Sequence, residues 1–220
     1  MININNDILI NSQLFLGIGV SELERLMHCL SAQAKKYAKD EFVMISGDAV
    51  NQIGLVIKGR VKIIKEDMDG NSVILTELSS SEIFGEVFAC AGVTQSPVTI
   101  AAMENAEILF INFKKIIEIC PSACPFHTRL MENMLKMIAV KTLLLNQKIE
   151  ILSKRTIRKK LIYFFDAYSD KGKKFTVPYN REEMAHYLCV DRSALSGELC
   201  KMRDEKLIRF NKNNFEILYK

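Results

Sequence analysis

Polar and cationic side chains recur along one side of the segment VDRSALSGELCKM, residues 190–202, and such groups can hydrogen-bond to the edges of DNA bases. The opposite side is apolar, because Leu195, Leu199 and Met202 recur at helical spacing. Asp191 can cap a helix over this segment. The polar side carries Arg192, Ser193, Ser196 and Gly197. The pattern predicts a short helix that rests on a partner and offers a polar edge to the major groove.

The residues just before this helix predict the partner on which it rests. Asn180 can cap a first helix, and Glu183 can complete a capping box. Met184, Ala185 and Leu188 give that helix an apolar side. The two helices indicate a DNA-reading unit, and an ordinary helical hairpin is the alternative interpretation.

Two short apolar runs after Met202 predict a β-hairpin. The runs Leu207 to Phe210 and Phe215 to Leu218 flank an Asn-rich turn at Lys212 to Asn214. Two helices followed by a hairpin indicate a winged helix-turn-helix. In this unit we predict DNA contacts from Asn180, Arg181, Arg192, Ser193, Ser196 and Lys201.

A second group of reactive side chains lies in CPSACPFH, where the spacing of Cys120, Cys124 and His127 could bring soft metal ligands together. Cys124 precedes a predicted helix start, where a thiol becomes more reactive. The simpler interpretation treats both cysteines as small buried hydrophobic residues, and we predict no metal site. Only three histidines are present, and none falls in a predicted strand, which disfavours a barrel metalloenzyme. We therefore predict a protein that is not an enzyme and requires no cofactor.

The charge of the chain is unevenly distributed. From Ser153 to Lys220 there are 16 Lys and Arg against 9 Asp and Glu, a net charge of +7, whereas the preceding 152 residues have a net charge of −3. A basic segment suits a module that displaces counterions from DNA phosphates, and a solvated basic surface is the alternative.

Length and composition favour a two-domain cytoplasmic protein. At 220 residues and 49% hydrophobic content, the chain can bury one large core and one small one. No apolar run approaches the roughly 18 residues that span a bilayer, and Met1 to Ile10 lacks the pattern of a secretion signal, so we expect no membrane partner. Six cysteines at irregular spacing indicate free thiols.

Short strands separated by glycines dominate the N-terminal half. A helix is predicted from Ser21 to Leu30, with Glu24 placed for a capping box. The clearest predicted strands are Ile53 to Ile57, Arg60 to Lys65, Val73 to Glu77 and Ala106 to Ile111. Asp69, Gly70 and Asn71 form a predicted hairpin turn. This pattern predicts a small barrel or jelly roll and, with the C-terminal helices, an α+β fold.

A long helix is predicted from Thr128 to Leu152, where an apolar heptad repeat runs without a break. The repeat favours a two-stranded coiled coil, and packing of the helix on its own barrel is the alternative. Met134, Met137 and Leu144 lie off the repeat and are expected to pack on the barrel. The predicted dimer interface consists of Met131, Leu135, Ile138, Thr142, Leu145, Ile149 and Leu152.

The order of these parts resembles the Crp-Fnr family of bacterial transcription regulators. The resemblance rests on SGD at residues 46–48, the turns at Gly59 and Gly70, FGE at residues 84–86, and residues 190–202. It implies an N-terminal double-stranded β-helix (jelly-roll) barrel that senses an effector in residues 1–124, a dimerisation helix in 125–152, and a winged helix-turn-helix in 153–220. It also implies a homodimer on palindromic operator DNA, with RNA polymerase as a further partner.

The resemblance carries over only in part at the DNA-reading positions. Arg192 and Ser196 match positions at which family members contact DNA. Ser193 stands where many members have a base-reading glutamate, and Gly197 stands where they commonly have an arginine. Cys189 replaces a frequent glycine in the turn, where a positive φ would suit glycine better. The operator sequence is therefore expected to differ from that of better-known relatives.

The predicted effector pocket departs further from the family pattern. It consists of Gly85, Glu86, Ser96 and Thr142. Cyclic-AMP-binding members have an arginine and a serine for the phosphate, whereas this chain has Ser96 and Pro97 there. An unknown effector other than cyclic AMP is therefore predicted. A cyclic-nucleotide-responsive regulator or binding module is the first alternative, and a cysteine-based redox or haem sensor is the second.

Overall fold

A computed structural model of the chain describes residues 6–66, 72–118, 125–169 and 173–219. The chain divides into two compact units, Met1–Ala139 and Val140–Lys220. Within the described residues, no helix is both long and apolar enough to span a membrane.

The N-terminal unit begins with short helices, α1 at Asn6–Asn11 and α2 at Val20–Cys29, separated by a 3-10 turn at Gln13–Phe15. The capping box predicted for α2 is formed by other residues than expected. Helix α2 begins one residue before Ser21, so the carboxylate of Glu22 rather than Glu24 accepts the backbone N–H that precedes the helix, that of Gly19, at 2.9 Å.

Eight strands follow and form two four-stranded antiparallel sheets with the orders β1-β8-β3-β6 and β2-β7-β4-β5. The strands are β1 Gln33–Tyr37, β2 Phe42–Met44, β3 Gln52–Lys58, β4 Val61–Glu66, β5 Ser72–Leu78, β6 Ile83–Phe84, β7 Thr99–Ala102 and β8 Ala106–Asn112. Helices α3, Glu86–Cys90, and α4, Phe113–Ile117, lie outside the strands. The predicted jelly roll is confirmed, and the turn predicted at Asp69 to Asn71 lies outside the described residues.

Strand β3 shows why this sheet has two buried faces. Ile53 and Leu55 belong to a core shared with helices α1 and α2, whereas Val56 belongs to a second core with Phe84 and residues of both sheets. Gly54 allows this second core to close, because a Cβ atom there would lie 2.0 Å from the ring of Phe84. The barrel interior is therefore packed tightly at this point.

The long helix α5 spans Pro125–Leu152. Leu130, Met134 and Met137 are buried in the core of the N-terminal unit, as predicted for the two methionines. Asn133 is also buried, and its side-chain N–H donates to the carbonyl oxygen of Leu14 at 3.0 Å. Leu144 was predicted to join this packing and does not: it is 59% exposed, because it lies two helical turns beyond Met137, past the last residue of that unit.

The C-terminal unit contains the rest of α5, three further helices and a three-stranded antiparallel sheet with the order β10-β11-β9. Its elements are α6 Ile157–Tyr168, β9 Lys174–Thr176, α7 Arg181–Leu188, α8 Arg192–Asp204, β10 Ile208–Asn211 and β11 Asn214–Ile217. The predicted winged helix-turn-helix and the α+β class are confirmed. The sequence prediction missed β9, which has only three residues and pairs with β11 through Phe175 and Phe215.

Candidate nucleic-acid interface

Helix α7 begins with the predicted capping box. The side-chain oxygen of Asn180 accepts the backbone N–H groups of Glu182 and Glu183 at 2.9 and 3.0 Å. The carboxylate of Glu183 accepts the backbone N–H of Asn180 at 2.8 Å. These reciprocal bonds satisfy amide groups that the first helical turn leaves without partners, and they fix where α7 begins.

The turn between α7 and α8 is held in a left-handed conformation. Cys189 has φ 50° and ψ 58°, the region that favours glycine, as anticipated for this position. The ammonium group of Lys160 in α6 donates to the carbonyl oxygen of Leu188 at 2.8 Å. This bond ties the C-terminal end of α7 to α6, directly before the turn that leads into α8.

Helix α8 begins at the predicted cap, Asp191. One oxygen of its carboxylate accepts the backbone N–H groups of Ser193 and Ala194 at 2.8 and 2.9 Å, and also the hydroxyl of Ser193. The Ser193 hydroxyl, followed by these backbone groups, lowers the pKa of Asp191 below its usual range. Because the Ser193 hydroxyl donates to Asp191, it is left mainly as an acceptor toward a ligand.

The two sides of α8 differ as the sequence predicted. Leu195, Leu199 and Met202 are buried in the core of the C-terminal unit. Arg192 and Lys201 are exposed. Ser193 and Gly197 are also exposed, and Ser196 is partly buried. A Cβ atom at Gly197 would meet nothing within 4 Å, so no packing requires a glycine there.

Arg158 anchors α8 to α6, and sequence reasoning missed it. Its Nε donates to Glu198, and its two terminal nitrogens donate to the carboxylate oxygens of Glu205 at 2.7 and 2.8 Å. Arg158 lowers the pKa of the Glu205 carboxyl group. The one sequence signal was the spacing of the two glutamates, which puts them on one side of the helix.

The wing consists of β10, β11 and the turn at residues 212–213, where Lys212 has φ 52°. Arg181, the first residue of α7, reaches this turn: its Nη2 donates to the Lys212 carbonyl oxygen at 2.9 Å. Its Cζ lies 5.1 Å from the ring centroid of Phe210 and 5.0 Å from that of Phe215. Burial lowers the pKa of the Arg181 guanidinium group.

A depression of about 440 Å³ lies between the start of α7, the start of α8 and the turn of the wing. Its lining residues are Asn180, Arg181, Glu182, Arg192, Lys212 and Asn213. The structure thus brings together three of the predicted DNA-binding residues, Asn180, Arg181 and Arg192, and adds two residues of the wing turn. Sequence reasoning had assigned the wing turn no DNA contact.

The residues predicted to form an effector pocket differ from one another in burial and in the contacts that they make. Gly85, with φ 82°, directly precedes α3, and Glu86 in α3 is only 2% exposed. The hydroxyl of the buried Ser96 donates to the carbonyl oxygen of Val98 at 2.7 Å and accepts its backbone N–H at 3.3 Å. The Ser96 side chain is therefore already engaged within its own turn. Thr142 is exposed on α5 in the C-terminal unit.

The predicted dimer interface is an exposed apolar stripe along α5. Leu135, Leu145 and Ile149 are 67%, 58% and 57% exposed. Met131 is 37% exposed, and Ile138 packs partly against the core of the N-terminal unit. Leucine side chains this exposed on one helix leave a large apolar area in contact with water.

Of the three candidate metal ligands in the sequence, only His127 is described by the structure. Cys120 and Cys124 lie outside the described residues. His127 is 8% exposed, and its Nδ1 is buried with no hydrogen-bond partner. Among the residues that the structure describes, no cluster of His, Cys, Asp and Glu could hold a metal ion. The described cysteines Cys29, Cys90, Cys189 and Cys200 are free thiols.

Two family models match the chain: a cyclic nucleotide-binding domain over residues 34–122 and a Crp-like helix-turn-helix domain over residues 145–219. The chain is 30% identical over 103 residues to the cAMP-activated global transcriptional regulator CRP of Pasteurella multocida, covering 44% of this chain and 46% of that protein. It is 29% identical over 104 residues to the cAMP-activated regulator Vfr of Pseudomonas aeruginosa, covering 46% and 47%. The matches span about half the length of these relatives.

The fold is also found in solved structures. The catabolite activator protein of Thermus thermophilus superposes with a TM-score of 0.56 at 19% identity, covering 94% of this chain and 93% of that one. The c-di-GMP responsive global regulator CLP of Xanthomonas campestris superposes with a TM-score of 0.56 at 17% identity, covering 92% and 100%. At these identities the likeness concerns the fold alone.

Proposed function

This chain belongs to the Crp-Fnr family of transcription regulators, and on that premise we propose that it is an effector-controlled dimeric regulator that binds palindromic operator DNA. The observation that carries the proposal is the split surface of α8. Its apolar side is buried, its polar edge is exposed, and its first turn is fixed by Asp191. A helix held in this way can enter the major groove without reorganising.

Within the proposed interface, Arg192 and Ser196 contact base edges, and Arg192 is the residue suited to a bidentate bond with guanine. Asn180 and Lys201 lie near the phosphates on either side, together with Lys212 of the wing. Ser193 is a weaker base reader than the family's glutamate, because its hydroxyl, which donates to Asp191, offers a base one neutral acceptor oxygen in place of a charged carboxylate. We therefore propose an operator in which each half-site has one strongly specified base pair.

The proposed dimer forms through the stripe Met131, Leu135, Ile138, Thr142, Leu145, Ile149 and Leu152 of α5. Burying leucines that are more than half exposed in one protomer supplies the driving force. A twofold axis along α5 would pair two copies of α8 and explain a palindromic site. RNA polymerase is the proposed further partner, and the cytoplasm is the proposed location.

The proposed effector is not cyclic AMP. Ser96 and Pro97 stand where cyclic-AMP-binding members have arginine and serine, and Ser96 is engaged with Val98, so no cation is supplied for a cyclic phosphate from these two positions. A cyclic nucleotide is the second candidate, and the cyclic nucleotide-binding family model over residues 34–122 favours it. Isothermal titration of the protein with cyclic AMP and cyclic GMP separates the two, since micromolar binding of either nucleotide would reverse this order.

The proposed function is tested by selecting duplexes from a random DNA library with the purified full-length protein. We expect a palindrome whose half-site centres lie about 10 base pairs, or a multiple of that, apart. Analytical ultracentrifugation should give a dimer, and Leu145→Glu should give a monomer with weakened binding. A non-palindromic selection product, or a wild-type protein that binds no duplex, would contradict the proposal.

A further inference from the structure

We propose that Arg181 is a positioning residue that fastens the wing to the start of α7, rather than a residue that contacts DNA. This inference rests on the proposed DNA-binding function and deepens it. It changes the role that the sequence predicted for Arg181 and assigns the phosphate-facing position to the wing turn instead.

The first argument concerns the donors of the Arg181 guanidinium group. Nη2 donates to the carbonyl oxygen of Lys212 at 2.9 Å. Nη1 is buried and has no hydrogen-bond partner. Two of the three guanidinium nitrogens therefore face the protein. A phosphate could reach the buried Nη1 only if the side chains that cover it moved.

The second argument concerns the aromatic rings beside the guanidinium group. Its Cζ lies about equally far from two wing side chains, 5.1 Å from the Phe210 ring centroid and 5.0 Å from that of Phe215. Phe215 is only 3% exposed and belongs to the core of the C-terminal unit. A cation this close to two rings is stabilised where it lies. Arg181 thus joins the surface of the wing to the core beneath it.

The third argument concerns the contacts that stabilise the wing turn. Lys212 has φ 52°, a conformation that favours glycine, so the turn requires contacts that hold it. Arg181 supplies one of these contacts at the Lys212 carbonyl oxygen. The backbone N–H of Val177 supplies another by donating to the carbonyl oxygen of Asn213 at 2.9 Å. The turn is thereby held from both sides.

The consequence is a fixed geometry between two DNA-facing elements. Lys212 and Asn213 line the same depression as Arg192 and Asn180. With the Arg181 contacts formed, the wing turn and the start of α8 both have fixed positions before DNA binds. Groups ordered in advance lose less freedom on binding. Arg181 therefore acts on DNA through the position of Lys212.

The test compares five variants of the full-length protein. Arg181→Ala removes the side chain, and Arg181→Lys keeps a positive charge but loses the planar group with several donors. Arg209→Ala is the matched control, because Arg209 is an arginine of β10 whose side chain is 73% exposed and forms a surface ion pair with Glu216 at 3.7 Å, a contact expected to contribute little to stability. Lys212→Ala, alone and with Arg181→Ala, tests whether the two residues act together.

The first readout is amide hydrogen exchange in the protein without DNA, followed by mass spectrometry over residues 208–217. We expect both Arg181 variants to exchange about 30-fold faster there, the factor for losing one charged hydrogen bond and one aromatic contact. Arg209→Ala should exchange like the wild type. Unchanged exchange in Arg181→Ala would overturn the proposal, and Arg181→Lys gives the same test if Arg181→Ala does not fold.

The second readout is fluorescence anisotropy with one duplex from the random-library selection. We expect Arg181→Lys to bind as weakly as Arg181→Ala, and Arg181→Ala to add less than twofold to the loss caused by Lys212→Ala. A direct phosphate contact predicts instead that Arg181→Lys binds nearly as the wild type, and that result would overturn the proposal. If the wild type binds no duplex, the proposed function fails, while hydrogen exchange still tests the fastening of the wing.

Discussion

Helix α8 and the turn at Ser96 in the barrel both contain a serine at a position that the family pattern marks as functional, yet the two serines have opposite surroundings. Ser196 lies on the polar edge of α8, next to exposed residues. Ser96 is buried and bonded to Val98. A position that the family pattern marks therefore indicates function only where the fold leaves polar atoms available. The exposed edge of α8 meets this condition, and the turn at Ser96 does not.

Adding a methyl group at a packed glycine, Gly54, and at an open one, Gly197, tests this contrast between packed and open positions. Gly54→Ala would place a methyl group 2.0 Å from the ring of Phe84 in the barrel interior. We expect a loss of about 3 kcal/mol in the free energy of unfolding, because such overpacking moves buried side chains. Urea denaturation followed by circular dichroism measures it. A loss below about 1 kcal/mol would mean that the barrel interior around Phe84 can accommodate an added methyl group.

Removing the exposed arginine of α8 should affect DNA binding and leave stability unchanged. We expect Arg192→Ala to weaken binding to a selected operator about 30-fold, the loss of one bidentate contact of about 2 kcal/mol. Binding to an unrelated duplex should weaken much less. Fluorescence anisotropy with both duplexes measures the difference. An equal loss of affinity for both duplexes would mean that Arg192 contacts phosphates rather than bases.

The two serines can be compared directly by mutation. Ser96→Ala should lower the free energy of unfolding by about 1.5 kcal/mol, because buried backbone groups of Val98 lose their partner. Ser196→Ala should change the unfolding free energy by less than about 0.5 kcal/mol and should weaken only DNA binding. Urea denaturation of both variants checks this. An unchanged free energy of unfolding in Ser96→Ala would mean that the Ser96 hydroxyl is available to contact an effector.

The smallest expected effect is at the open glycine of α8. Gly197→Ala should raise the free energy of unfolding by about 1 kcal/mol, because alanine favours the helix and the new methyl group would meet nothing within 4 Å. Operator affinity should stay within about twofold of the wild type. Thermal denaturation and anisotropy measure the two quantities. A large loss of affinity would show that the DNA backbone approaches Gly197 closely.

Much of the DNA-binding unit could be predicted because its signals are local. Asn180 and Asp191 cap helices through backbone groups two or three residues away, and the buried stripe of α8 repeats within the helix. The prediction for α2 failed by a small shift, because Gly19 with Glu22 competes with Ser21 and Glu24 for the same capping pattern. Local patterns identify a helix more reliably than they identify its first residue.

By itself, the sequence determined the order of barrel, long helix and winged helix-turn-helix, together with the polar edge of α8. Periodicity and capping act over a few residues and can be read along the chain. Only the tertiary structure decided which polar atoms remain available. Arg181 meets Lys212 after a separation of 31 residues, and Arg158 meets Glu198 and Glu205 after 40 and 47. Such pairs depend on how the elements pack, and the spacing within one element can place two glutamates on one side of a helix but cannot identify the arginine that meets them.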